Sequence, residues 1–309
     1  MQMKKCAIVC NLKSGKGISK DILAKMVNIL LDYGYVTQVH VTKNQGDAIE
    51  ITEKLSYVDL LISMGGDGTY SEVISGNYKR KEKLLLTHIP IGTANDIGTM
   101  FGMSKNVLTN LKSILNGTVK DVDICLVNNK PFIYVAGFGK YITISYDTPK
   151  KYKKVFGYLA YAIQGVVEFF RPTKLFEVEY TVNGETYKGL YALILVSNAN
   201  SIAGIHDIYK DIKLDDKKFE VVFCNLTKRR DVIKSFYYLR TTDIDKVPGL
   251  FFHRTDNIKI TFSEVPKKCW TIDGEKLQER RKTYEFNTNY SIKMLVPKKN
   301  IDKLFIAKK

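Results

Sequence analysis

Met64-Gly65-Gly66-Asp67-Gly68-Thr69-Tyr70-Ser71-Glu72 is the joint on which the reading of this chain turns. Before it, Val58-Asp59-Leu60-Leu61-Ile62-Ser63-Met64 is a short apolar run of the kind that fills a parallel strand buried on both faces. Three glycines around one carboxylate suit neither strand nor helix, but they let the chain turn and bring backbone N–H groups close to a bound group. Thr69 with Glu72 three residues on fits a capping box, which predicts a helix whose first amides point back at the glycines. Strand, glycine turn and helix N-terminus make an anion site; the plainer alternative is an ordinary tight βα turn. Asp67 tips the reading, because a carboxylate in a phosphate loop repels anions unless a cation lies between them. The stretch is therefore read as a phosphate cradle that works with Mg²⁺.

The 309 residues suffice for two domains. Lys and Arg number 48 against 32 Asp and Glu, a net charge of +16, which favours nucleic acid, anionic membrane or phosphorylated small molecules as partners. The aromatic residues are mostly Tyr and Phe in strand-like runs rather than interleaved with Arg, which argues against nucleic acid. Five cysteines without Cys-x-x-Cys suggest neither a disulfide framework nor zinc, and Cys6 and Cys10 read as buried thiols on one strand face. His40, His88, His206 and His253 have no ligand spacing. The first residues hold no signal-peptide core, and no run approaches the ~18 apolar residues of a spanning helix. The expectation is a cytoplasmic protein that meets the inner membrane face peripherally.

Working outward from the joint, Lys5 to Cys10 reads as a strand, the turn Asn11 to Gly17 follows, and Ser19 caps a helix that Gly34 ends. Strand Val36 to Val41 leads to Thr42 and a helix near Gly46 to Leu55. After the glycine joint comes a short helix closed by Gly76, then strand Leu84 to Ile91, the turn Gly92-Thr93-Ala94-Asn95-Asp96 and a helix over Ser104 to Asn116. This alternation predicts a doubly wound α/β domain with four polar loops at one sheet edge. From about Asp121 the pattern changes to short strands, with Asn183-Gly184 as a hairpin turn and helices near Val155 to Phe170 and Arg230 to Leu239. The expected domains are 1–122 with the tail 298–309, and a mostly antiparallel β domain over 123–297, with a ligand cleft between them.

No Gly-x-x-x-x-Gly-Lys-[Ser/Thr], His-Arg-Asp or Asp-Phe-Gly is present, so a nucleotide site here is neither a P-loop nor a protein-kinase site. Instead, Gly65-Gly66-Asp67-Gly68-Thr69 with Gly92-Thr93-Ala94-Asn95-Asp96 resembles the diacylglycerol, sphingosine and ceramide kinase family, with NAD kinases and phosphofructokinases as remoter relatives. The soluble bacterial diacylglycerol kinases are the closer match, through Asp47-Ala48, Ala203-Gly204, Lys213-Leu214-Asp215-Asp216 and Asp273-Gly274-Glu275. The resemblance implies phosphotransfer from ATP to a lipid. ATP would sit at Asn11, Ser14, Gly15, Thr42, Gly65, Gly66, Gly68, Thr69, Ser71, Thr93 and Asn95, with Asp67 acting on its metal. Backbone amides and Mg²⁺ can carry most of that chemistry by positioning and charge. Asp273 or Glu275 would be the base that accepts the attacking hydroxyl's proton, an alternative to a plain Asp-Gly hairpin turn. A structural Mg²⁺ would be held by the Asp216 carboxylate and the backbone carbonyls of Lys213 and Lys218, with Asp215 linked inward through water.

The chain departs from the family's usual pattern at Leu12, where Pro is common, at Ser71, where Asn is common, and at Lys218, where a bulky residue is common. Altered nucleotide affinity, not loss of activity, is expected from Leu12 and Ser71, and Lys218 leaves carbonyl ligation of the metal possible. The run Pro149-Lys150-Lys151-Tyr152-Lys153-Lys154 before an apolar stretch reads as a bilayer contact or as a loop into a core helix. Lys228-Arg229-Arg230 has no apolar partner evident in sequence. Competing readings are a kinase for another lipid alcohol, a non-catalytic nucleotide-dependent membrane sensor and a nucleic-acid binder. Self-association as a homodimer is left open.

Overall fold

The computed structural model describes residues 2–15, 17–142, 168–199, 201–202, 205–206, 209 and 211–307. The basic run at 149–154, most of the expected helix at 155–170 and the Ala203-Gly204 pair lie outside the described residues. The chain divides into two compact units, Met1–Val122 with Ser291–Lys309, and Asp123–Tyr290.

In the first unit β1 (Lys4–Cys10), β2 (Tyr35–Val41), β3 (Leu60–Gly65) and β4 (Leu86–Pro90) form a parallel sheet in the order β2-β1-β3-β4. Between and after them run α1 (Lys20–Asp32), α2 (Asp47–Lys54), α3 (Asp67–Lys79), α4 (Asp96–Met100) and α5 (Val107–Leu115). This is the expected doubly wound arrangement. β3 is buried along its whole length because helices cover both faces. Met26 and Leu30 of α1 and Leu111 and Ile114 of α5 share one core with Ile8 and Ile62. On α3, Tyr70 stacks on the buried His88 of β4, with centroids 4.6 Å apart. Ser19 caps α1 as its sequence suggests, its Oγ accepting the Ile22 amide at 3.3 Å. Gly76 does not close α3, which runs on to Lys79. It lies where α2 comes close: a Cβ there would sit 2.5 Å from the Ile49 carbonyl oxygen. Burial pushes the Cys6 and Cys10 thiols up to about 12 and about 11, so both stay protonated and unreactive.

The second unit is built from antiparallel strands, as expected. They are β5 (Thr118–Val127, shared with the first unit), β6 (Lys130–Phe132), β7 (Val135–Gly139), β8 (Phe176–Val182), β9 (Glu185–Tyr191) and β10 (Leu193–Ser197). Next come β11 (Ser201–Ile202), β12 (Ile205–His206), β13 (Phe219–Cys224), helix α6 (Arg229–Thr241), β14 (Leu250–Thr255) and β15 (Asn257–Phe262). Last are β16 (Thr271–Ile272), β17 (Glu275–Lys276) and the long β18 (Thr283–Val296), before α7 (Ile301–Leu304). One sheet runs β14-β13-β10-β7-β16-β17, while β18-β15-β8-β9 are successive neighbours in another. Strands β8 and β15 alternate buried and open positions, and the inward residues meet the first sheet in an aromatic core. There Tyr180 stacks on Phe223 at 3.9 Å and Phe138 lies 4.6 Å from Phe262. The apolar run Tyr187 to Val196 reads as one strand but is two: the chain breaks at Ala192 and changes sheets. Among the described residues no helix is long and apolar enough to cross a membrane.

Burial holds His88 neutral, with its pKa lowered to about 3 from 6.5. Between those values the unfolded chain binds the extra proton, so stability is full above pH 6.5 and falls as pH drops. The slope approaches ~1.4 kcal/mol per pH unit for this one group. Urea titrations from pH 7 to 4 should show a shallower acid loss in His88→Phe than in the native chain. An unchanged slope would assign the acid sensitivity to other groups.

Candidate functional site

Three strand ends of the first unit carry the glycine-bearing loops, and the ladder bonds that finish the sheet align them. The Asn11 amide donates to the Met64 carbonyl at 2.9 Å, the Ile91 amide to Gly65 at 2.8 Å and the Thr42 amide to Cys10 at 2.9 Å. Thr42 is buried, and its hydroxyl donates to the same Cys10 carbonyl at 3.3 Å. Asn11 folds its own loop, its Oδ1 accepting the Lys13 amide at 3.1 Å while its carbonyl accepts Ser14 at 3.0 Å.

Close backbone approach then requires glycine. Gly15 has φ of +56°, and a Cβ there would lie 2.3 Å from the Ile91 carbonyl oxygen. A Cβ on Gly92 would lie 2.6 Å from Gly66 Cα, and one on Gly66 would lie 3.3 Å from Ser14 Oγ. Ser14, Gly15, Gly66 and Gly92 are thus one contiguous patch of nearly bare backbone, a cradle that any side chain would fill. Asn95 closes it, donating from Nδ2 to the Gly92 carbonyl at 2.9 Å, while its Oδ1 is buried without a hydrogen-bond partner. Thr93 is exposed beside it, and Gly68 and Ser71 lie half-buried at the start of α3.

The helix after the glycine joint begins three residues earlier than the capping-box reading places it. Gly66 is the N-cap of α3, and Thr69 lies within its first turn, its side chain where a Gly65 Cβ would stand. The reason lies in Glu72, whose carboxylate is taken by another helix: it accepts the amides of Gly46 at 2.9 Å and Ala48 at 3.3 Å, capping α2 from outside. Asp47 in turn accepts the Lys43 and Asn44 amides at 2.8 and 2.9 Å, which holds its pKa low and shapes the loop beyond Thr42. Asp67 acts likewise. Its two carboxylate oxygens accept the amides of Asp96 at 3.2 Å and Ile97 at 3.3 Å, so it fixes the start of α4. The two sequence motifs are therefore hydrogen-bonded to each other.

In the second unit Asp273 and Gly274 form the two-residue turn between β16 and β17, with φ of +47° and +83°. Asp273 is buried, its oxygens accepting the amides of Ile133, Tyr134 and Val135 at 3.0, 2.9 and 3.2 Å. Glu275 stands exposed on β17. Sequence alone leaves these two carboxylates equivalent, whereas in the structure Asp273 is buried against backbone amides and Glu275 is exposed.

At the Lys213 to Lys218 loop, Asp216 accepts the Lys218 amide at 3.0 Å and an Arg254 guanidinium nitrogen at 2.7 Å. Two acids that sequence reasoning passes over belong here. Asp123 accepts the Lys217 amide, and burial, with Asp216 and Asp215 adding to it, raises its carboxyl to about 6. Glu220 lies 3.3 Å from Arg254; burial pushes its carboxyl up to about 7 against the pull of that guanidinium. Each sits as a carboxylate inside an apolar strand run, and that is the signal that could have found it. Among the described residues no three or more His, Cys, Asp or Glu side chains are grouped to hold a metal ion. Crowded carboxylates with one guanidinium suit a hydrated Mg²⁺, bound through one or two carboxylates and carbonyls, better than a closed cage.

A family model described as the diacylglycerol kinase catalytic domain matches residues 5–127, the span that holds the glycine cradle and Asp67. The chain is similar to the diacylglycerol kinase of Bacillus subtilis strain 168, 32% identical over 279 residues, which cover 88% of this chain and 90% of that one. It is 31% identical over 274 residues to the diacylglycerol kinase of Staphylococcus epidermidis, covering 88% and 86%. Its fold is also that of a crystal structure of a diacylglycerol kinase from Bacillus anthracis strain Sterne, with a TM-score of 0.76 over 96% of this chain and 98% of that one at 24% identity. With sequence identity of this level sustained through both units and the family's two glycine motifs joined at one cradle, the chain belongs to the diacylglycerol kinase family of lipid kinases.

Proposed function

We propose that this protein transfers the γ-phosphate of ATP to the hydroxyl of diacylglycerol, giving phosphatidic acid for phospholipid metabolism. The observation that carries the reading is the bare-backbone cradle of Ser14, Gly15, Gly66 and Gly92 with Asp67 at its edge. Its amides, with those of the first turn of α3, suit phosphate oxygens. Asn11, Thr42, Thr93 and Asn95 are read as the polar rim that orients the nucleotide. Mg²⁺, held through Asp67, would offset phosphate charge, and a second, structural ion would be held by Asp216, Asp215 and the Lys213 and Lys218 carbonyls. Glu275 takes the proton of the acceptor hydroxyl as its oxygen bonds to the γ-phosphorus and the bond to the departing ADP oxygen breaks. Asp273, whose oxygens already accept three amides, positions that turn. The acceptor is met at the inner membrane face, where the chain's positive charge favours anionic lipid.

Labelled ATP supplied with diacylglycerol, sphingosine or ceramide in anionic vesicles should label phosphatidic acid alone, and only with Mg²⁺ present. Label in a sphingolipid would change the acceptor, and nucleotide binding without label in any lipid would refute the reading. Glu275→Gln should lower kcat by about 10²–10⁴-fold at unchanged Tm. Asp273→Asn should chiefly lower stability, by about 1.5–3 kcal/mol, because it weakens charge-assisted bonds to three amides. The reverse pattern in the two variants would move the base to Asp273. Gly92→Ala should weaken ATP binding about tenfold or more, since its Cβ cannot coexist with Gly66 at the observed spacing. An unchanged Kd would take the cradle out of the nucleotide site.

A further inference from the structure

Helix α6 leaves its apolar residues on the wrong side for a core. Ser235 is buried, with Val232 and Leu239 half-buried on the same stripe, whereas Ile233, Phe236 and Tyr237 are 60%, 52% and 67% exposed. The exposed three are spaced i, i+3 and i+4, so they form one face. Arg229, Arg230, Lys234 and Arg240 are exposed around them, and the helix holds these four basic residues against the single acid Asp231. Phe170, itself 59% exposed, extends the patch: the Arg229 guanidinium lies 4.9 Å from its ring centroid and donates to its carbonyl at 2.8 Å.

Aliphatic, aromatic and cationic side chains on one exposed helix face match the layering of a bilayer surface. Rings and alkyl groups enter the acyl boundary while guanidinium and ammonium groups stay level with lipid phosphates. Nucleic acid would use the arginines but leave Ile233 and Phe236 in water, and an ordinary protein groove needs no such excess of positive charge. We propose that the Ile233-Phe236-Tyr237 face of α6, with its basic border and Phe170, is the element that docks this enzyme on anionic membrane. The inference rests on the reading that its acceptor is a membrane lipid, and it gives Lys228-Arg229-Arg230 the apolar neighbour that sequence does not reveal.

Co-sedimentation of the full chain with phosphatidylglycerol-containing vesicles and with pure phosphatidylcholine vesicles tests it. The native protein should bind the anionic vesicles, more weakly as salt rises. Two variants, I233S/F236S/Y237S and R230Q/K234Q/R240Q, should each lower that binding about tenfold or more. Both should keep the native Tm and the native turnover of dioctanoylglycerol dispersed as a monomer. Native vesicle binding in either variant overturns the proposal. So does a fall in Tm, a change in oligomeric state or loss of short-chain turnover in the serine variant, because the face would then be covered by protein. If the native chain itself fails to phosphorylate dioctanoylglycerol, the acceptor reading falls, while the vesicle comparison still decides the docking face.

Discussion

The carboxylate of Asp67 accepts the amides of Asp96 and Ile97 across 29 and 30 residues of sequence, and the geometry of the first unit's strand-end loops follows from that grip. A five-residue helix such as α4 is too short to hold itself in water, so its start must be fixed from outside. Asp67 does this from the first turn of α3, and Glu72, one turn later on the same helix, does it for α2. One helix thus sets two others. Glycine is then required wherever the loops so placed approach each other, which ties the paired motifs to backbone geometry as well as to ligand chemistry.

The second unit uses acids in the same manner. Asp273 fastens residues 133–135, and Asp123 fastens Lys217 within the loop read as a metal site. Both carboxylates are engaged with backbone amides, whereas Glu275 stands exposed on β17. Burial makes negative charge costly at Asp123 and at Glu220, and it raises the carboxyl values of both, although Glu220 pairs with Arg254.

Much of this architecture is legible in the sequence because local signals agree with it. Apolar runs mark β1, β3 and β4, Ser19 marks the start of α1, and Asn183-Gly184 marks a hairpin. The readings that fail are those in which a distant partner outbids a local one. Thr69 and Glu72 have capping-box spacing, yet α2 takes the Glu72 carboxylate. Gly76 looks like a helix terminator, yet it is a crossing point. Tyr187 to Val196 looks continuous because nothing local records a change of sheet at Ala192. β14 has no clear sequence signal, because Leu250 to Thr255 carries His and Arg and is mostly half-exposed, with no clean alternation. The apolar face of α6 is not legible for a different reason: its residues have helical spacing, but only the structure shows that they face away from the core.

Strand β18 adds one further consequence. Met294 pairs with Leu86 in the first unit's sheet, the Thr87 hydroxyl donates to the Leu295 carbonyl at 2.8 Å, and the Tyr70 hydroxyl contacts the Met294 sulfur at 2.8 Å. The edge of β4 therefore waits for residues made some 170 positions after the rest of its unit has left the ribosome. The first unit is therefore not a detachable N-terminal module that can complete its sheet early in synthesis. Its sheet closes only when translation is nearly over, so a premature stop near the C-terminus would injure the part of the protein encoded first.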